Sequence, residues 1–225
     1  MRIVSWNCNG AFRKKYNVIR DLDADINVIQ ECEDPSEICD AEYCEFASNY
    51  IWCGQNKSKG LGVFAKQGIS ISENHWPKYC LREFLSVRVN DAFDLVAVWA
   101  CVPYIKEYYV YQNINLKNYS KKTILIGDFN SNSIWDKKNE IRTHSRVVAE
   151  LSEIGLLSVY HFFSHEPQGK ETQPTFYLHR NLNRKYHIDH CFADCRRIET
   201  YKVLPDTEKW LQYSDHIPIV LEVTT

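Results

Sequence analysis

The sequence has no excess of charge of either sign: 27 Lys and Arg stand against 29 Asp and Glu, a formal charge of −2. That balance excludes a strongly basic nucleic-acid clamp. No apolar run is long enough to span a bilayer, and 44% hydrophobic with 25% charged residues excludes a disordered chain. Low-complexity segments, short internal repeats and Gly/Ser/Pro-rich or charge-run linkers are missing, so one domain over residues 1–225 is the simplest organisation. The nine cysteines are an odd number without the regular spacing of a secreted disulfide framework. The opening residues Met1 to Trp6 carry neither an apolar h-region nor a small-residue cleavage site, so a cytoplasmic location is expected.

What the chain does have is strands. Runs rich in Val, Ile, Phe and Tyr recur at Arg2–Trp6, Ile26–Gln30, Gly62–Ala65, Phe84–Val89, Leu95–Val102, Thr123–Ile126, Tyr186–Ala193 and Ile217–Val223, each bounded by polar or turn-forming residues. Helical spacing shows at Val18, Ile19 and Leu22, and again at Val147, Val148, Leu151 and Ile154, the latter ending on Gly155 as a C-cap would. Many short strands with few helices between them cannot build an all-parallel doubly wound sheet. The expected class is α/β, with large, mainly antiparallel sheets covered by helices.

Polar residues sit at the ends of these strands. Asn7 follows the first, Glu31 the second, Asp128 and Asn130 follow Thr123–Ile126, and Asp215 with His216 precede the last. Loops at strand ends can hold polar groups in convergent geometry, which points to one site assembled from the whole chain. Asp and Asn after a strand also serve as plain turn formers, but that reading explains Glu31 poorly.

The segments Ser5-Trp6-Asn7-Cys8-Asn9-Gly10, Gln30-Glu31, Gly127-Asp128-Phe129-Asn130, Ile188-Asp189-His190 and Ser214-Asp215-His216 stand in the order of one family's motifs. On them the chain resembles the endonuclease/exonuclease/phosphatase superfamily, the metal-dependent phosphoesterases that include exonuclease III-like and DNase I-like nucleases. The resemblance implies a four-layered α/β sandwich of two packed sheets with helices outside, and a site in the cleft at the sheet ends.

Hydrolysis of a phosphate ester needs neutralised anionic oxygens, a water placed in line with the leaving oxygen, and stabilisation of the charge that develops. Mg²⁺, with Mn²⁺ as an alternative, meets the first need through one or two carboxylates and its own waters. Glu31 is the best ligand candidate, Asn7 assists as a ligand or as a donor to one, and the resemblance adds Asp215 to the metal set. Asp128 and Asn130, two apart, can point to one side of an extended turn. By resemblance Asp128 orients or deprotonates the water, and Asn130 holds that carboxylate or donates to a phosphate oxygen. Asp189 and His216 form the second pair, the carboxylate fixing the imidazole tautomer and favouring its charged form. His216 acts as base or as electrostatic stabiliser; the sequence leaves both open.

Several features depart from the family or carry weaker signals. Cys101 stands where several members have a Tyr that reaches the phosphate, and Tyr104, Tyr108, Tyr109 or Tyr111 would have to substitute from the next loop, though packing or surface roles are the expectation for each. His187, His190, Cys191 and Cys195 invite a zinc assignment, but alternation in a strand Tyr186–Ala193 would put His190 opposite the others. The loop Thr172–Lys185, with His179 and Arg184 among its cationic residues and Phe176 and Tyr177 interleaved, either contacts a nucleic-acid backbone and stacks a base or is a solvated loop. His144 either reaches the cleft as a substrate contact or lies on the surface at a helix start. The tryptophans, including Trp99, Trp135 and Trp210, are expected in the core rather than as substrate platforms.

Two enzyme readings follow: a Mg²⁺-dependent nuclease whose partner is DNA or RNA, or a phosphatase or phosphodiesterase for a small phosphate ester such as a nucleotide, an inositol phosphate or a lipid headgroup. The near-neutral charge keeps the second open. A catalytically silent binding module is disfavoured, because none of the seven motif residues is lost.

Overall fold

In β1 (Arg2–Asn7) both Ile3 and Val4 are fully buried although successive side chains of a strand point to opposite faces, so this strand is covered on both sides. Ile3 joins an apolar cluster with Ile26, Val28, Leu61, Val63 and Leu221, whereas Val4 and Trp6 join a second cluster with Phe12, Tyr43 and Trp210. The same split recurs throughout and dictates the layers.

The computed structural model describes residues 1–224. After β1 come α1 (Tyr16–Arg20), β2 (Ile26–Cys32), α2 (Ala41–Phe46), β3 (Tyr50–Asn56), β4 (Lys59–Ala65), β5 (Ile71–Glu73), β6 (Phe84–Val89) and β7 (Phe93–Trp99). They are followed by α3 (Ile105–Asn115), β8 (Thr123–Asp128), α4 (His144–Glu153), β9 (Leu157–Ser158) and α5 (Val159–Ser164). The chain closes with β10 (Phe176–Tyr177), β11 (Lys185–Tyr186), β12 (Asp189–Ala193), β13 (Ile198–Val203), α6 (Thr207–Leu211) and β14 (Ile219–Val223). One six-stranded sheet runs β13-β14-β1-β2-β4-β3 and the other β5-β6-β7-β8-β12-β9, while β10 and β11 form a separate ribbon. Among the described residues only β1–β2 and β7–β8 are parallel pairs.

The inner faces of the two sheets share one core: Ile3, Val28 and Leu221 on one side meet Leu95, Ile126 and Cys191 on the other. Helices α1, α2 and α6 cover the outside of the first sheet, and α3 and α4 cover the second through Tyr108, Tyr111, Val147 and Leu151. This is the four-layered α/β sandwich that the motif order implied. Helix α4 starts with the Thr143 side chain accepting from the Arg146 N–H and ends at Gly155 (φ +82°), with Leu156 N–H donating to Leu151 O.

Three expectations are corrected. The strand Leu95–Val102 stops at Trp99, before Pro103. The strand Tyr186–Ala193 is broken at His187 and Ile188. His187 therefore does not follow the alternation assumed for it: its ring lies 5.1 Å from that of His190, while Cys191 and Cys195 are in the inter-sheet core. The break removes one premise of the argument against zinc, but the four side chains still part between two layers. No helix among the described residues is long and apolar enough to cross a membrane, and all nine cysteines are unpaired.

Gly127 fixes the junction of β7 and β8. Its φ is +147°, and a Cβ there would lie 1.9 Å from the carbonyl oxygen of Val98, its partner in the parallel register. Gly127→Ala is therefore expected to cost about 3 kcal/mol or more, read as a lower urea midpoint at unchanged m-value. An unchanged midpoint would show that this close approach is not needed.

Candidate active site

The alternation that builds the core also aims the polar residues. Ile3, Ser5 and Asn7 share the inner face of β1, and Ile124, Ile126 and Asp128 share that of β8. At the end of both sheets the apolar residues give way to Asn7 and Asp128, and Asn7 Nδ2 donates to Asp128 Oδ2 at 3.0 Å across the sandwich. Asp189 falls on the inner face of β12 with Cys191 and Ala193, directly opposite Asp128 in the antiparallel register.

Glu31 arrives differently. The β2–β4 register slips between Gln30 and Cys32, and Glu31 sits in that bulge with φ +62°. A left-handed Glu is unusual, and such strain gathers where a side chain must be re-aimed. Here the carboxylate turns so that its Oε1 accepts from Asn7 Nδ2 at 3.2 Å and its Oε2 pairs with Lys59 Nζ at 2.6 Å.

Asp128 has no solvent exposure and accepts three hydrogen bonds: from Asn7 Nδ2, from Asn130 N at 2.8 Å and from Asn130 Nδ2 at 2.8 Å. Asn130 makes this clamp by taking a left-handed conformation (φ +47°), which Asn tolerates. His216 Nδ1 donates to Asp189 Oδ2 at 2.9 Å, and its Nε2 lies 4.0 Å from Asp128 Oδ2. Donor atoms of Asp128, Asp189 and His216 all lie within 4.8 Å of one another. Trp6 Nε1 holds the His216 carbonyl, Ser214 Oγ accepts from the His216 N–H, and Thr175 Oγ1 accepts from the N–H groups of Ile188 and Asp189.

Burial is the largest influence on Asp128 and raises its pKa to about 7, with His216 lowering it and Asp189 raising it. Burial opposes the charge on His216, but Asp189 and Asp128 outweigh it and lift its pKa to about 10. An Asp with a raised proton affinity suits a base, and a His held charged beside it suits a donor to an anion.

The structure thus brings together Asn7, Glu31, Asp128, Asn130, Asp189 and His216. Asp215 joins at the rim: its Oδ1 accepts from Asn9 Nδ2 at 3.0 Å, while Asn9 N–H donates to Asn7 Oδ1 at 3.0 Å. Asn9 links the first and last motifs, and the sequence reading passed over it although Asn7 and Asn9 repeat the two-residue spacing of Asp128 and Asn130. Lys59 was also missed, and nothing in its sequence context marks it.

Of the three expected substrate contacts, one is buried and two stand on an exposed turn. His144 is fully buried at the start of α4, its ring 4.6 Å from that of His190, and burial lowers its pKa to about 4. It packs behind the Asp128 loop and meets no cleft. His179 and Arg184 are exposed at the turn joining β10 and β11, where Leu178 N–H donates to Arg184 O. Trp135, expected in the core, is 47% exposed and packs at a tilt against Tyr186, ring centroids 5.1 Å apart. With Tyr104, Phe176, Leu178 and Ile188 it lines a groove of about 460 Å³ that begins at Asn130, and Lys106, Lys137 and Arg142 stand along it. Tyr108 and Tyr111 are core residues of α3. Trp210 is buried as expected.

Oxygen donors of the type a hard divalent cation takes stand at this site. Glu31 and Asp215 are partly exposed carboxylates at the cleft mouth, and Asn7 is turned so that its NH₂ donates to two carboxylates, making it a support for ligands.

Asp189→Asn removes the main cause of the raised His216 pKa, so its NMR titration midpoint should fall by about 2 pH units. His216 is a group whose folded pKa lies above its unfolded value, so its pairing stabilises the fold fully below about pH 6.5 and the gain is lost as pH rises toward 10. That slope should flatten in the variant. A midpoint left in place would show that Asp189 is not what charges His216.

Comparison with known proteins bears on the fold and the family. The model of the endonuclease/exonuclease/phosphatase family matches residues 4–216. A 3′-5′ exonuclease from Neisseria meningitidis has a similar structure (TM-score 0.73, 18% identity, 100% of both chains). So does an AP endonuclease from Archaeoglobus fulgidus (TM-score 0.71, 14% identity, 100% of both chains). The endonuclease domain of a telomere-specific non-LTR retrotransposon aligns at TM-score 0.63 and 17% identity over 99% of this chain and 97% of its own. No curated protein matches the sequence.

Proposed function

From the premise that the chain belongs to the endonuclease/exonuclease/phosphatase family, whose members are hydrolases of phosphoester bonds, we propose that it is a metal-dependent phosphodiesterase acting on nucleic acid. The observation that carries the reading is the wholly buried Asp128 carboxylate, clamped by Asn7 and Asn130 and facing the His216–Asp189 pair. Solved structures of this fold carry names of a 3′-5′ exonuclease, an AP endonuclease and a 3′ phosphatase bound to a product DNA hairpin, and these names support the choice of substrate class.

In this reading Asp128 takes the proton of the attacking water, which its raised pKa suits. Asn130 holds the carboxylate in place for that transfer. His216, kept charged by Asp189, donates from Nε2 to a phosphate oxygen and stabilises the charge that develops there. Glu31 and Asp215 would hold Mg²⁺ or Mn²⁺, with Asn7 orienting Glu31. The metal when bound neutralises phosphate oxygens and the leaving oxygen. The groove from Asn130 to Trp135 offers aromatic faces for a base, with Lys137 and Arg142 as cations for the backbone beside Asp136 and the Lys106–Glu140 pair. The nine unpaired cysteines suit the reducing cytoplasm, and residues 1–225 act as a single catalytic unit.

The second reading, hydrolysis of a small phosphate ester, is favoured by the net charge of −2 and by a groove of only about 460 Å³. Salt separates the two, because polymer binding weakens steeply with ionic strength and small-ester binding does not.

The test is hydrolysis of single- and double-stranded DNA, RNA, an abasic duplex and small esters with Mg²⁺, Mn²⁺ or EDTA. Asp128→Ala should lower kcat by about a thousandfold; wild-type rates in the variant would remove Asp128 from the chemistry. Glu31→Ala should raise the Mg²⁺ needed for half-maximal rate by at least about tenfold, and an unchanged titration would show that Glu31 is no ligand. Metal-dependent cleavage confined to small esters would select the second reading.

A further inference from the structure

Lys59 occupies a place that its sequence does not announce. It begins β4 on the same face as Leu61 and Val63, so its side chain enters the mouth of the sandwich from the first sheet. Its Nζ lies 2.6 Å from Glu31 Oε2 and 6.0 Å from the ring centroid of Trp99. Trp99 belongs to the second sheet and is the register partner of Asp128. The ammonium therefore spans the cleft between the metal-ligand candidate and the strand edge beside the catalytic carboxylate. Two residues beyond Trp99 is Cys101, whose thiol cannot reach or donate as a phenol would, and burial pushes its pKa up to about 12.

Glu31 Oε2 has one strong partner, and that partner is a cation. A divalent ion that takes this oxygen competes with the Lys59 ammonium for it, because two cations held on one oxygen repel each other. The displaced group remains positively charged at the cleft mouth, on a flexible four-carbon stem with three donors, over the face of Trp99. The anion that enters the cleft with the metal is a phosphate.

We propose that Lys59 is a phosphate-binding residue of this site, held on Glu31 until a divalent cation takes the carboxylate and then released to the substrate, where it supplies the donor that Cys101 cannot. This rests on the phosphoesterase reading of the site. It makes Lys59 both a competitor of the metal and a partner of the substrate, so one substitution should move the two affinities in opposite directions.

Lys59→Met keeps the stem's bulk and removes the charge. In calorimetric titration of the substrate-free protein, it should bind Mg²⁺ about fivefold more tightly than wild type, the size of effect expected for a partly exposed pair. With Mg²⁺ saturating, it should bind inorganic phosphate about tenfold more weakly and lose about a hundredfold in kcat/KM. Lys59→Arg should restore phosphate binding. Lys57→Met is the control: Lys57 lies on the same hairpin but pairs with Asp34 at 2.6 Å and Glu37 at 3.3 Å, so neither affinity should change. Circular dichroism and thermal melting establish that each variant folds.

Unchanged Mg²⁺ affinity in Lys59→Met would overturn the competition. Tighter Mg²⁺ with unchanged phosphate affinity would reduce Lys59 to a counter-ion of Glu31 and overturn the hand-over. Should wild type cleave no phosphoester, the phosphoesterase reading falls, while the metal and phosphate titrations still decide the role of Lys59.

Discussion

A carboxylate with no exposure to water is the constraint around which this molecule is arranged. Asp128 ends a strand whose inward residues are otherwise Ile124 and Ile126, and its ionised form is tolerable only because donors surround it. Two of these, the Asn130 N–H and side chain, come from its own loop; the third, Asn7, comes from the opposite sheet. The hydrogen bond between Asn7 and Asp128 thus joins the two halves of the sandwich at the point where the apolar core ends. Because the same two residues contact Glu31 and face His216, the device that closes the fold also positions the chemistry.

The layers were legible in the sequence because burial on both faces of a strand leaves a continuous apolar run, and eight such runs were visible. What was missed follows from short or weakly patterned elements. Helix α3 carries Tyr108, Tyr111, Gln112 and Asn115 on its buried side, a mixture of aromatic and polar residues that gives no helical stripe. Strands β9, β10 and β11 have two residues each, too few for alternation to register. The edge strand β13 (IETYKV) is half polar and reads as loop.

The site was legible to a similar depth. Residues at the ends of regular strands, such as Asn7 and Asp128, could be placed by parity alone. Glu31 could be noticed as an acid that does not fit a turn, but its orientation depends on a bulge and a positive φ that residue type does not disclose. His144 shows the opposite failure. A histidine at a helix start looks like a surface residue, yet the helix packs its first turn inward, and His144 joins His187 and His190, whose pKa values burial also lowers. His190 Nε2 donates to Ser131 O and Asn132 Nδ2 to the backbone carbonyl of His187, so the His190 ring and the His187 main chain fasten the loop that carries Asn130.

Charge is divided sharply across this short distance. Behind the Asp128 loop the histidines are buried and neutral; in front of it His216 is buried and charged, and the difference lies in Asp189. The ring that faces two carboxylates keeps its proton, whereas rings that face carbonyls and one another lose theirs. The break in the chain at His187 and Ile188 makes this separation possible. It lets His187 turn toward His190 while Asp189 resumes the alternation of β12 and points into the core mouth. A continuous strand would have set His187 beside Asp189 on the inner face and given the carboxylate two histidines to serve. The interruption of one regular element therefore gives Asp189 a single imidazole, and that exclusive pairing keeps His216 protonated where a developing negative charge would meet it.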